Sequence, residues 1–177
     1  PLTVHVAGDY AYVGDHNTGF DIVDVTTDPG NPSLVGNCPT PESARGVCVS
    51  AGYAYVATEE AGLQVIDVSV PASPVITDSR DTPGSAYGVA VDGGYAYVAD
   101  SASGIQVIDA RLPDTPVVTG QCDVGSEMPL DVSVSGSHAY VTTGWDGLSV
   151  MDISDPTAPE EVGACDTGQF VGAVAVA

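Results

Sequence analysis

"GLQVIDVSVPASP", residues 62–74, and "GIQVIDARLPDTP", residues 104–116, are one phrase written twice. Each opens on Gly, runs through an apolar stretch to Asp, and is stopped by Pro-x-x-Pro. Diverged copies stand at 19–24 ("GFDIVD", followed by Pro29 and Pro32) and at 147–152 ("GLSVMD", followed by Pro156 and Pro159). Ala-Tyr-Val precedes every copy, at 11–13, 54–56, 96–98 and 139–141. Before each Ala-Tyr-Val lies a short alternating run: "TVHV" 3–6, "GVCV" 46–49, "GVAV" 88–91 and "DVSV" 131–134. Self-similarity at a period of about 42 residues decides the architecture before any single residue is considered.

Each unit holds four short β-type segments, named a to d here. In the second unit they fall near 46–49, 53–58, 63–68 and 74–79. They are rich in Val, Ile and Tyr and bounded by Gly, Pro, Asp and Ser. No run of 11 or more residues has helical periodicity. Pro-x-x-Pro forbids a continuous strand between c and d. The Asp before it (Asp24, Asp67, Asp109 or Asp152) is suited to accept backbone N–H groups and set that turn. Four antiparallel strands per 42 residues is the arithmetic of a propeller blade, whose sheet stays dry only against another blade. The expected fold is all-β: a β-propeller-type array of four-stranded antiparallel blades. The units run approximately 1–43, 44–85, 86–128 and 129–170. The last residues, "VGAVAVA" (171–177), align with "PLTVHVA" (1–7) and read as the first strand of a further repeat. A closed four-blade ring has no slot for that strand. Either the chain is a piece of a longer propeller or the extra strand belongs elsewhere, in a neighbouring molecule or exchanged with residues 1–7.

The pattern Ala-Tyr-Val-Ala, Gly-Leu-Gln-Val-Ile-Asp-Val-Ser, Pro-x-x-Pro, complete in "YAYVATEEAGLQVIDVSVPASP" (53–74), resembles the LVIVD repeat family of bacterial and archaeal β-propellers. The resemblance covers all four units. It implies an extracellular or cell-surface protein with no shared enzymatic activity and no catalytic motif.

The charge narrows the function further. The 24 acidic residues face three basic ones (Arg45, Arg80 and Arg111), for a net charge of −21. Such a surface repels phosphate backbones, so no nucleic-acid partner is expected. No apolar run of 18 residues occurs, so no membrane insertion is expected. The carboxylates suit Ca²⁺ binding, solubility of an extracellular or high-salt protein, or simple solvation of the surface, and no cofactor other than Ca²⁺ is expected. Of the four cysteines, Cys38 and Cys48 are close enough in sequence to bridge neighbouring strands; none lies in a CxxC pair.

What recurs in all four units is read as scaffold: Tyr12, Tyr55, Tyr97 and Tyr140 for packing, and the four Asp residues for turns. Candidate ligand residues come from the variable b–c loops: Asp15 and His16, Glu59 and Glu60, Asp100, and Trp145 with Asp146. An exposed Trp beside a carboxylate suits a sugar ring, so carbohydrate is a candidate partner. Asp15, His16, Glu59 and Glu60 are candidates for a metal site across adjacent blades. Leu2, Val4 and Val6, with Val174 and Val176, are candidates for self-association by strand pairing at the chain's two ends. The expected function is a non-enzymatic structural or adhesive protein, with head-to-tail assembly into a fibre through its ends. The alternatives are a surface module holding glycan or Ca²⁺ in its b–c loops, and a carboxylate-based hydrolase, for which the sequence singles out no acid pair.

Overall fold

The chain forms sixteen strands in a computed structural model that describes residues 1–125 and 128–176. The first blade holds β1 (Thr3–Ala7), β2 (Tyr10–Asp15), β3 (Gly19–Asp24) and β4 (Ser33–Cys38). The second holds β5 (Gly46–Ser50), β6 (Tyr53–Ala57), β7 (Leu63–Asp67) and β8 (Val75–Arg80). The third holds β9 (Gly88–Asp92), β10 (Tyr95–Ala99), β11 (Ile105–Asp109) and β12 (Val117–Cys122). The fourth holds β13 (Asp131–Ser135), β14 (His138–Thr142), β15 (Leu148–Asp152) and β16 (Glu160–Cys165). Each blade is a separate antiparallel meander in chain order. One short 3₁₀ turn, Ser101–Ser103, interrupts the β pattern. Among the described residues no helix is long and apolar enough to cross a membrane.

Local chemistry sets each hairpin. The a–b turns of the second and third blades are two-residue loops with both residues at positive φ, Ala51 and Gly52 (51° and 85°) and Gly93 and Gly94 (57° and 82°). That geometry matches the right-handed twist of the flanking strands. In the c–d turns the closing Asp accepts the N–H two residues on: Thr26 at 3.0 Å, Ser69 at 2.8 Å, Arg111 at 3.1 Å and Ser154 at 2.8 Å. Every c–d pairing also carries a register shift at one place, between Ile22/Val23, Val65/Ile66, Val107/Ile108 and Val150/Met151. This bulge bends the outer strand of each blade.

These turn carboxylates are held below their ordinary value of 3.8, Asp67 by the Ser69 hydroxyl and then its N–H, Asp24 by the Thr27 hydroxyl and then the N–H groups of Thr27 and Thr26. A folded-state pKa below the unfolded value gives stability that is present above pH 3.8 and is lost as pH falls through the folded value. The melting temperature is therefore expected to fall on acidification below about pH 4. Asp67→Asn should make that fall shallower; equal slopes for the variant and the parent would refute the role of the turn.

The core lies between blades, not within them. Tyr12, Phe20, Ile22 and Cys38 of the first blade pack on Val47, Ala54, Val56 and Ile66 of the second. Tyr55, Leu63 and Val65 of the second pack on Val89, Ala96, Val98 and Ile108 of the third. Tyr97, Ile105 and Val107 of the third pack on Val132, Ala139, Val141 and Met151 of the fourth. The period-two alternation thus has a fixed sense: one face of each sheet meets the next blade and the other meets the previous one. Each fully buried Leu, Ile or Phe contributes about 1.5–3 kcal/mol over its exposed state. The innermost strands pack in the sequence β1, β5, β9, β13, with no comparable packing of β1 on β13. The blades form an open arc.

Two expectations are corrected. No disulfide joins Cys38 and Cys48; all four cysteines are free. Cys38 lies on the outermost strand of the first blade and Cys48 on the innermost strand of the second. They serve different seams, Cys38 the first and Cys48 the second. Residues 171–176 do not form a regular strand. They lie beside β13, with the Val174 N–H donating to Asp131 Oδ2 at 3.0 Å and the Val176 N–H to Ser133 Oγ at 3.3 Å. Only Val171 makes a β-bridge, to Gly144, repeating the Ala86–Glu59 bridge of an internal seam. The segment thus takes the place of a further innermost strand without a ladder to fix it. Ala177, part of the same expectation, lies outside the described residues.

Candidate functional site

The four b–c loops stand at one end of the arc, next to the segments that lead into each innermost strand. Three share one construction. The N–H of Thr58, Asp100 or Thr143 donates to the carbonyl of Gly62, Gly104 or Gly147, at 2.8, 2.9 and 2.9 Å. The following residue is left-handed: Glu59 (φ 47°), Ser101 (48°) and Gly144 (64°). Glu and Ser rarely adopt that conformation. The first loop differs. Asp15 remains in β2, and its Oδ1 accepts the N–H groups of Asn17 (2.8 Å) and Thr18 (3.2 Å).

The structure separates the predicted ligand residues. Asp15 is engaged by these two N–H groups of its own loop. His16 is exposed and its Nδ1 lies 2.7 Å from Ser43 Oγ. Glu59 accepts Arg45 Nε at 2.6 Å and forms an ion pair with the same guanidinium, while Glu60 is exposed. Among the described residues, no three His, Cys, Asp or Glu side chains converge as a metal site would require. Asp100, expected on a loop surface, is fully buried. Its Oδ1 accepts the Thr82 hydroxyl at 2.6 Å and its Oδ2 the Gly84 N–H at 2.9 Å. Burial pushes its pKa up despite those bonds. Asp100 therefore pins the lead-in of the third blade instead of facing a ligand. Trp145 is 68% exposed and meets Phe170 edge-on, with ring centroids 5.4 Å apart. Asp146 follows it on the same exposed loop.

Arg45 was not singled out by sequence, although it is one of only three basic residues. Besides pairing with Glu59, its guanidinium carbon lies 5.6 Å from the centroid of the Tyr87 ring on the next blade's lead-in. Arg45 helps line a cavity of about 170 Å³ where the innermost strands begin, with Thr3, Gly46, Val89 and Asp131. The strands approach closely here. A Cβ on Gly46 would meet the Tyr87 carbonyl oxygen at 2.7 Å, and one on Gly88 the Asp131 Cα at 2.6 Å.

The most distinctive surfaces are the two flanks of the arc. Val47, Val89 and Val132 hold one repeat position and are 7%, 7% and 4% exposed. Val4, at the same position of the first blade, is 61% exposed. Leu2 and Val6 beside it are also exposed, and a groove of about 490 Å³ runs along Leu2, Val4 and Val13. At the other flank, Tyr140, Leu148 and Val150 are half-buried, whereas Tyr55, Leu63 and Val65 are buried in the second seam. Gly163 shows the same asymmetry. At Gly36 and Gly120 an added Cβ would run into the carbonyl of the next blade's turn, Pro71 or Pro156, and lie 3.1 Å from Cδ of Pro74 or Pro159. At Gly163, the equivalent position of the fourth blade, nothing lies within 4 Å. The second blade carries Asp78 here instead.

An open arc of stacked four-stranded blades with one recurrent seam is a β-propeller-type repeat protein. The LVIVD repeat model matches residues 3–40, 41–82, 83–124 and 129–167, so the chain belongs to the LVIVD repeat family. No curated protein matches it. Two solved structures share the fold. The computationally designed Ika8 protein is 7% identical over 98% of this chain and 52% of its own, with a TM-score of 0.77. A functionally unknown protein from Desulfotomaculum acetoxidans DSM 771 is 16% identical over 99% of this chain and 59% of its own, with a TM-score of 0.82. The chain thus spans little more than half the length of either structure.

Proposed function

We propose that this chain is a non-enzymatic structural module of the cell surface or extracellular space that self-associates through the two open flanks of its arc. The observation that carries this reading is the exposure of Val4 at a position buried in every other blade. A flank of that kind is costly to leave wet, and the opposite flank carries the type of face that meets it in the internal seams. The loop residues support a structural role over a catalytic one: Glu59 is paired with Arg45, and Asp100 is buried in a hydrogen-bonded joint. Membership of the LVIVD repeat family supports a repeat scaffold.

The net charge of −21 opposes contact between chains. Salt shortens the reach of that repulsion, to about 8 Å at physiological ionic strength. Association of the chain is therefore expected to strengthen with both protein concentration and salt, as followed by sedimentation velocity. A single monomeric species at all concentrations, in low and high salt alike, would rule the reading out.

A further inference from the structure

The b–c loop of the fourth blade carries an aromatic surface that the other loops lack. Its left-handed residue is Gly144, where the second and third blades have Glu59 and Ser101. Three apolar side chains converge where a Cβ of Gly144 would stand: a ring carbon of Phe170 at 3.5 Å, Cβ of Met128 at 3.6 Å and Cδ1 of Leu130 at 3.8 Å. At the lead-in positions of Met128 and Phe170 the earlier segments carry Ser43 and Ser85. Trp145 follows Gly144 and meets Phe170 edge-on, and Met128 extends the patch with 43% of its surface exposed.

The exposure of Trp145 belongs to its loop position and not to the flank of the arc. Glu60 and Ala102 hold the same position in the second and third blades, which have a neighbour on each side, and both are exposed. The two rings are also fixed in advance. The Asp146 N–H donates to the Thr143 carbonyl at 3.2 Å and the Thr143 N–H to the Gly147 carbonyl at 2.9 Å, which closes the loop around Trp145. The Val171 N–H donates to the Gly144 carbonyl at 2.9 Å and ties Phe170 to that loop. Rings held in this way lose little freedom when something stacks on them.

We propose that Trp145 and Phe170 form a stacking platform for one ring of a neutral carbohydrate, with Asp146 and Gln169 at its rim. A sugar ring has an apolar C–H face and a border of hydroxyls, and the patch divides in the same way. Each aromatic ring has an exposed polar neighbour in the chain, Asp146 after Trp145 and Gln169 before Phe170. A carboxylate accepts hydroxyl protons, and an amide both donates and accepts. The fourth unit holds neither Lys nor Arg in a chain of net charge −21, so acidic sugars and phosphate headgroups are repelled. Two rings and a methionine fall far short of the roughly 800 Å² per partner that a stable protein interface buries. A quaternary ammonium gains only about 0.5–1 kcal/mol from an exposed ring and makes no hydrogen bond with the rim. The platform lies on a loop surface and not on the flanks, so it goes beyond self-association and does not depend on it.

Trp145 is the single tryptophan of the chain, so intrinsic fluorescence reports this loop alone. The full chain is titrated, at a concentration where it is monomeric, with neutral oligomers of glucose, xylose, mannose and N-acetylglucosamine. Galacturonic-acid oligomers and choline are the comparison ligands. A saturable emission shift is expected with at least one neutral oligomer, and a weaker response or none with the comparison ligands. Followed by calorimetry, Trp145→Ala should weaken that binding about tenfold or more and Phe170→Ala about fivefold or more. Trp145→Phe, which keeps an aromatic face, should retain most of the affinity, and Trp145→Ala should leave the melting temperature of the free chain unchanged, as befits an exposed side chain. No saturable shift with any neutral oligomer would overturn the proposal, as would tighter binding of galacturonate or choline. Undiminished sugar binding by Trp145→Ala would overturn the assignment to this loop.

Discussion

Replacing Gly36 or Gly120 by Ala is expected to lower the melting temperature, while the same replacement at Gly163 leaves it unchanged or raises it. All three glycines hold one repeat position on the outermost strand, and none has a positive φ. Backbone permissiveness is therefore not the reason for glycine there. The reason is the neighbour. A Cβ at Gly36 would fall inside the Pro71 carbonyl, and one at Gly120 inside the Pro156 carbonyl. The obstacle is backbone held by a turn, so it cannot swing aside as a flexible side chain would. The blades must move apart along the seam, at a cost of about 1–3 kcal/mol. In a chain of this size that corresponds to a drop of roughly 2–12 °C. At Gly163 there is nothing to strike, and the lost freedom of the unfolded chain favours folding by about 0.4–1 kcal/mol. Circular-dichroism melts of the three variants at low concentration make the comparison. Equal shifts at Gly36 and Gly163 would show that the proline turn does not dock where the structure places it.

The same contrast explains what was legible in the sequence. The period, the four strands per unit and the Asp-closed turns all follow from contacts within one blade, between residues close in the chain. Alternation and turn chemistry record those contacts directly. Features that depend on one blade meeting another left little trace. Asp100 sits in a loop of small polar residues and reads as exposed, yet the Thr82–Gly84 segment folds over it from 16 to 18 residues away. Cys38 and Cys48 are ten residues apart, but the step from outermost to innermost strand carries them to opposite edges of adjoining sheets. Arg45 and Glu59 meet across 14 residues. The one available sign was the scarcity of cations in so acidic a chain. Trp145 and Phe170 are similar: the first stood out in its loop, while its ring partner lies in the segment after β16 and showed no pattern. The alternation did signal two apolar faces on each sheet. Which flank remained uncovered depends on the order of blades around the arc.

Leu63→Ala and Leu148→Ala test that last point. The two residues begin strand c in the second and fourth blades, at the position held by Phe20 and Ile105 in the others. Leu63 is fully buried in the second seam, against the third blade. Its truncation removes the transfer free energy of the side chain and leaves a cavity between two sheets that cannot collapse independently. The expected loss is about 2–5 kcal/mol. Leu148 is only half-buried, because no other blade among the described residues packs on that face of β15. The same truncation there opens no enclosed cavity and should cost less than about 1 kcal/mol in dilute protein. Chemical denaturation of both variants at a concentration where the chain is monomeric reads the difference directly. Raising the concentration should reverse the ranking for association: Leu148→Ala then weakens self-association through the outer face of the fourth blade, and Leu63→Ala, confined to an internal seam, leaves it unchanged. Equal destabilisation of the monomer by both substitutions would mean that the fourth blade's outer face is already covered, and the arc could not be open there.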